Sequence, residues 1–218
     1  MKNKRIKLLV IALAILMALT ACSTKQSDNS NSKSETKETQ QESKTSDANK
    51  KLAKLYTKVL DNVDNYDFGD TSGVQILGYE YALVNMKGID IPLLFVSQRT
   101  DFGISAIRIF STNENFDKEI MSDEFISVGA AGRGGFRGGI TLNENQEALT
   151  YVYFSSGSGA ATAQEITPVI KDDVINLQEK VFWEGRIDQL PEQKTSEIEF
   201  HDISDRTIIE DLESKKDS

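Results

Sequence analysis

The chain has 218 residues, 39% of them hydrophobic, with 34 acidic side chains against 25 basic ones and a formal charge of −9. A surface of that sign repels nucleic acid and anionic headgroups, which argues against both as ligands of the protein body. A single cysteine leaves no partner for an intrachain disulfide.

In chain order, a basic cluster (Lys2, Lys4, Arg5, Lys7) precedes twelve residues without a polar side chain, Leu8 to Leu19. A helix needs about 20 apolar residues to cross a bilayer core, so this run has the length of a signal peptide rather than of a span. The basic flank orients the amino end toward the cytoplasm. Leu19-Thr20-Ala21-Cys22 follows directly. It resembles the lipobox of bacterial lipoproteins: an aliphatic residue, a small or polar one, a small one, then cysteine. The resemblance implies cleavage between Ala21 and Cys22 and a diacylglyceryl thioether on Cys22. It also implies a cell-membrane location on the extracytoplasmic face, and it gives the lone thiol a use. Loss of the signal leaves 21 basic and 34 acidic side chains, a formal charge of −13. Multiple acyl chains, at about 0.8 kcal/mol per buried CH₂, hold a protein far longer than one chain does.

Residues 22–46 contain no large apolar or aromatic side chain and read as a disordered tether. Residues 47–213 are enough for one domain with its own core, and residues 214–218 read as a frayed tail. A helix is expected from Ser46 or Asp47, either of which can accept from first-turn amides. Leu52, Leu55, Tyr56, Val59, Leu60 and Val63 then place one apolar stripe along it.

Beyond Gly69 the period changes to two. Strands are expected at Gly78 to Met86, Ile91 to Gln98, Ile104 to Ser111, Glu124 to Gly129, Phe136 to Leu142, Ala148 to Phe154, Ala163 to Ile170 and Val174 to Trp183. The connections are too short for parallel crossovers, which makes the sheet predominantly antiparallel. A short helix, capped by Ser204 or Asp205, is expected to run to about Glu213. The fold class is therefore α+β: an amphipathic N-terminal helix on a sheet of seven to eight strands, with a short C-terminal helix.

The segment Tyr81 to Val96 resembles a strand-loop-strand unit of uncharacterised Gram-positive surface lipoproteins, whose usual form is roughly Y-A-L-Y-D-I-D-G-D-G-I-P-E-L-L-V. Lys, Asn and Ser usage is in keeping with such a host. The resemblance runs weakly from Leu52 to Trp183. The family's loop carboxylates resemble a calcium site, but here Asn85, Lys87 and Ile89 stand at aspartate positions and Leu93 at the glutamate. Calcium wants six to eight oxygens, several of them charged, and Asp90 alone does not supply them. The loop therefore reads as a turn without a metal, with Gly88 at positive φ and Pro92 opening the next strand.

Three further features carry possible chemistry. The glycine-rich segment 129–139 could expose backbone amides to an anion, with Arg133 and Arg137 as contacts. It lacks the Lys-Ser/Thr and the helix of a phosphate loop, and it reads first as a bulged turn. Ser155 to Gly159 lacks nucleophile-elbow spacing. His201 reads as exposed, and Trp183, Phe182 and Tyr153 read as core. No cofactor is implied. The reading is a surface binding or accessory module whose partner is an envelope or extracellular protein or a small ligand. The alternative is an envelope hydrolase using two carboxylates roughly 5 to 9.5 Å apart.

Overall fold

A computed structural model describes residues 35–70, 73–132 and 135–214, with residues 35–46 given by their backbone alone. The signal, Cys22, the first part of the tether, Arg133 and residues 215–218 lie outside the described residues.

Helix α1 spans Glu35–Asp61. Its start lies within the stretch read as tether, where Glu, Gln and Lys dominate the sequence. Unbranched side chains of that kind extend a helix readily once a packed segment has nucleated it. The expected stripe is the buried one: Leu52, Leu55, Tyr56, Val59, Leu60 and Val63 are all nearly inaccessible.

Among the described residues eleven strands form one sheet: β1 (Ile76–Val84), β2 (Leu93–Thr100), β3 (Ile104–Thr112), β4 (Glu119–Met121), β5 (Ile126–Ala130), β6 (Phe136–Asn143), β7 (Leu149–Ser155), β8 (Ala160–Lys171), β9 (Val174–Arg186), β10 (Thr195–Ser196) and β11 (His201–Asp202). Helix α2 (Thr207–Ser214) closes the described chain. The architecture is thus the expected helix-on-antiparallel-sheet arrangement, and all eight expected strands are present. The sheet exceeds the expected count through β4, β10 and β11. Strands of two or three residues are too short to display an alternation.

The main order is β11-β1-β2-β3-β5-β6-β7-β8-β9, a meander with all ladders antiparallel. Two faces of β1 to β3 are buried separately. Toward the helices, Tyr79, Tyr81, Leu94, Val96 and Phe110 pack with the α1 stripe and with Ile209 and Leu212 of α2. On the opposite face, Ala82, Leu93, Phe95, Ile107 and Ile109 pack with Leu142, Leu149, Tyr151, Ile166 and Ile175 from the second half of the sheet. The meander therefore folds over on itself, and β1 to β3 become a middle layer with apolar residues on both sides. Trp183 is not core as expected. It pairs with Ala163 on the face away from Tyr151 and Ile166, and it is half-exposed. Phe182 sits at the register shift beside it and is exposed.

Folding over requires β3 to change partners along its length. Its first half pairs with β5 and its second half with β4. The break between them is filled by buried Arg108, whose Nε donates to Asp67 O at 2.6 Å and Nη1 to Ser122 O at 3.0 Å. Its guanidinium also lies 5.5 Å from the Phe125 ring centre. Arg108→Ala is expected to lower unfolding free energy by about 2 to 3 kcal/mol, because two buried carbonyls lose charge-assisted partners. Urea denaturation checks this.

Three tyrosines fasten layers through their hydroxyls. Tyr56 donates to Pro92 O at 2.6 Å, Tyr81 to Asp205 O at 2.6 Å and Tyr151 to Ser127 O at 2.7 Å. Burial raises the pKa of all three, that of Tyr81 to about 12 with help from the Asp205 charge. The folded state favours the neutral phenol, so this stabilisation is complete below the ordinary tyrosine pKa of about 10 and is lost as pH climbs toward the folded values. Stability is expected to fall steeply above pH ~10, with tyrosinate absorbance rising together with loss of the circular dichroism signal. Tyrosinate appearing with the fold intact would contradict it.

Candidate functional site

The antiparallel meander places the β1–β2, β3–β4, β6–β7 and β8–β9 connections at one end of the sheet. Together they line an open cleft of about 1040 Å³, walled by Lys87 to Ile91, Thr112 to Phe116, Glu147 and Thr167 to Asp173. The loop carrying the family resemblance therefore forms one wall of this cleft. Gly88 takes the expected positive φ, +89°. The loop is fixed by Ile89 N donating to Met86 O at 3.1 Å and Lys87 N donating to Gln146 O at 2.8 Å. Its neighbour in the cleft is thus the β6–β7 turn.

Two walls are built to one pattern. Asn113-Glu-Asn115 opens the β3–β4 loop and Asn143-Glu-Asn145 opens the β6–β7 loop. In the first, Asn113 Oδ1 accepts from the amides of Asp117 and Lys118, and Phe116 N donates to Asn113 O. In the second, Asn143 Oδ1 accepts from Glu147 and Ala148, and Gln146 N donates to Asn143 O. The residue three beyond each asparagine is left-handed, Phe116 at φ +58° and Gln146 at +60°. A bulky residue in that region is strained, and the asparagine hydrogen bonds are what hold it there. The repeated Asn-Glu-Asn was the signal in the sequence that would have marked these loops as a pair. The β8–β9 hairpin supplies the remaining wall with a two-residue turn, Asp172 and Asp173 both at positive φ.

The lining is acidic with apolar patches. Asp90, Glu114, Glu147, Asp172 and Asp173 face Lys87 and Lys171, and Ile89, Ile91, Phe116, Val169 and Ile170 lie among them. Lys87 binds Glu147 at 2.5 Å, and Lys118 outside the lining binds Asp173 at 3.1 Å. The Lys87 hydrogen bond and charge hold the Glu147 carboxyl below the usual range. The other carboxyls with a displaced pKa are Glu119, held low by its own amide and Lys58, and Asp202 and Asp205, held low by Ser204 and Thr207. All four shifts run downward, whereas a glycosidase acid needs a carboxyl kept protonated. Among the described residues no three His, Cys, Asp or Glu side chains gather closely enough to hold a metal ion.

The glycine-rich segment stands apart from this cleft. Arg137 turns its Nη1 back on its own turn, donating to the carbonyls of Ala131 and Phe136. Arg133 is outside the described residues, so the expected anion contact reduces to an arginine already engaged with backbone. Gly129 permits a close approach instead: a Cβ there would fall 2.3 Å from Gly103 O, where the β2–β3 turn meets β5. His201, half-buried rather than exposed, lines a smaller hollow of about 490 Å³ with Glu197, Glu199 and Asp211. Ser155 to Gly159 is the hairpin turn between β7 and β8.

No family model, curated protein or solved structure matches this chain. No described helix is long and apolar enough to cross a membrane.

Lys87→Gln is expected to return the Glu147 titration toward the ordinary carboxylate range, followed by carbon-detected NMR. The shift is a depression, so the contact is present above the ordinary glutamate pKa and is lost as pH falls through the folded value. An unchanged Glu147 midpoint would show that the pair does not form in solution.

Proposed function

We propose that this protein is a lipid-anchored extracytoplasmic binding or accessory module, held to the cell membrane through diacylglyceryl-Cys22. Its ligand, an envelope or extracellular protein segment or a small molecule, sits in the cleft between the paired Asn-Glu-Asn loops. The observation that carries the anchor is the passage from a twelve-residue apolar run straight into Leu19-Thr20-Ala21-Cys22. The cleft supports the binding half of the reading: it is wide and open, with polar and apolar side chains interspersed and an excess of carboxylates. Such a lining disfavours anions and suits a neutral or cationic ligand. The alternative, a hydrolase using two carboxylates, draws on the same acidic lining, although the four described carboxyls with a displaced pKa are all held low, the reverse of what a proton donor needs.

Expression of the parent chain and of Cys22→Ser in a bacterium, with a clickable fatty acid in the medium, tests the anchor. The parent is expected to be labelled and to fractionate with membranes. The serine variant is expected to remain unlabelled and uncleaved at Ala21. A labelled serine variant, or an unlabelled parent with a free thiol by mass spectrometry, would overturn the reading.

A further inference from the structure

The net charge of this domain opposes contact with an anionic membrane, yet one of its faces carries a cluster of unpaired lysines. Over residues 47–214 carboxylates outnumber lysines and arginines 29 to 15. In such an excess a cation readily finds a partner. Nine do among the described residues: Lys58, Lys87, Arg99, Arg108, Lys118, Lys180, Arg186, Lys194 and Arg206 each lie within 4.0 Å of a carboxylate oxygen. Lys50, Lys51 and Lys54 do not, although Asp47 lies one turn earlier on α1 and Glu213 of α2 shares a shallow hollow with them. Asp61, Asp117 and Glu119 line a second hollow with Lys51, Lys54 and Lys58, where Asp61 is taken by Arg206 and Glu119 by Lys58. All three are exposed. At 100° per residue they fall, with Lys58, within about a third of the helix circumference, opposite the stripe that packs on the sheet. Lys171 is the other lysine without an ion pair among the described residues, and it stands alone on the β8–β9 hairpin.

We infer that the lysine face of α1 docks on the anionic headgroup layer of the membrane to which the protein is tethered, an inference that rests on the proposed Cys22 anchor. The choice of occupant follows from charge and from chain order. The face is the one cluster of unpaired cations described on an acidic body, and it lies on the helix that directly follows the tether. Range reconciles it with the net charge. Repulsion from the distant carboxylates is screened beyond a Debye length of about 10 Å, whereas lysines in contact with the surface act at full strength. Phe116 lines both the loop cleft and the hollow that contains Lys51, Lys54 and Lys58, so the docked face borders the cleft. A domain resting on this face would present its cleft along the membrane margin.

The single cysteine permits a test on the tethered protein with the native lipid replaced. The chain from Cys22 onward is coupled through that thiol to maleimide lipid in vesicles, either of phosphatidylglycerol mixed with phosphatidylcholine or of phosphatidylcholine alone. Lysine acetylation by a water-soluble reagent is then timed by mass spectrometry, with Lys171 as the internal reference. On the anionic vesicles Lys50, Lys51 and Lys54 are expected to react at least about threefold more slowly relative to Lys171, and on neutral vesicles no slower than in solution. Equal rates on both surfaces, or equal slowing on both, overturn the proposal. Because the coupling is chemical, either result leaves the native lipidation to be decided by the fatty-acid labelling.

Discussion

A buried guanidinium at the point where β3 changes partners makes this fold possible. Arg108 cannot lose its charge, and its nearest carboxylate oxygen, on exposed Asp67, is 3.9 Å away. It is therefore held mainly by carbonyl dipoles from the loop after α1 and from Ser122. Ser122 repairs the ladder at the same place: its amide donates to Ile109 O, its hydroxyl oxygen accepts from Ile109 N, and that hydroxyl donates to Glu124 O. The chain can then turn out of β4 and enter β5 without stranding buried polar groups. Asp123, the next residue, donates to Ile175 O and accepts from Leu177 N, so the first residues of β9 dock on the bend. One arginine and two neighbouring residues thus join the start, middle and end of the meander.

The cleft is a consequence of that joint. A flat meander would display its hairpin loops in a row, spaced by the strand separation of about 4.8 Å. Once the second half folds over the first, loops far apart in the row come to face each other. Lys87 meets Glu147 across 60 positions of sequence, and Lys118 meets Asp173 across 55. These exposed ion pairs contribute little to stability. They do record which loops have become neighbours. The strained φ values at Phe116 and Gln146 belong to the same economy, since each is held by an asparagine whose side chain accepts two amides that a simple hairpin would leave open.

How much of this the sequence displayed depended on the length over which each cause acts. The α1 stripe and eight strands are repeated patterns over seven or more residues in most cases, and they were legible. Helix α2 was legible too, because Asp205 caps it locally by accepting from Thr207. Strands β10 and β11 exist only because distant partners pass by, and β4, a hairpin partner of β3, has too few residues to display an alternation, so nothing in their own residues announced them. Trp183 misled because large aromatics are usually buried. Here it occupies the outer side of a strand, and only the pairing with Ala163 reveals that side. The glycine-rich segment drew attention by composition, whereas Gly129 answers to steric crowding between β5 and the β2–β3 turn.

The site was missed for a different reason. Asn113-Glu-Asn115 and Asn143-Glu-Asn145 are each ordinary turn sequences, and one alone says nothing beyond a hairpin. Their meaning comes from recurrence at equivalent ends of two strands in a sheet that folds back. Reading that needs both the repeat and the topology. The same holds for charge. The net value of −9 averages over a surface where, among the described residues, nine cations are neutralised in pairs and three on α1 are not. Because screening confines electrostatics to about 10 Å, what a tethered domain feels at a surface is the charge of the face it presents. Under the proposed Cys22 anchor, chain order would bring α1 near the membrane first, and the pairing sets what charge its exposed face has left.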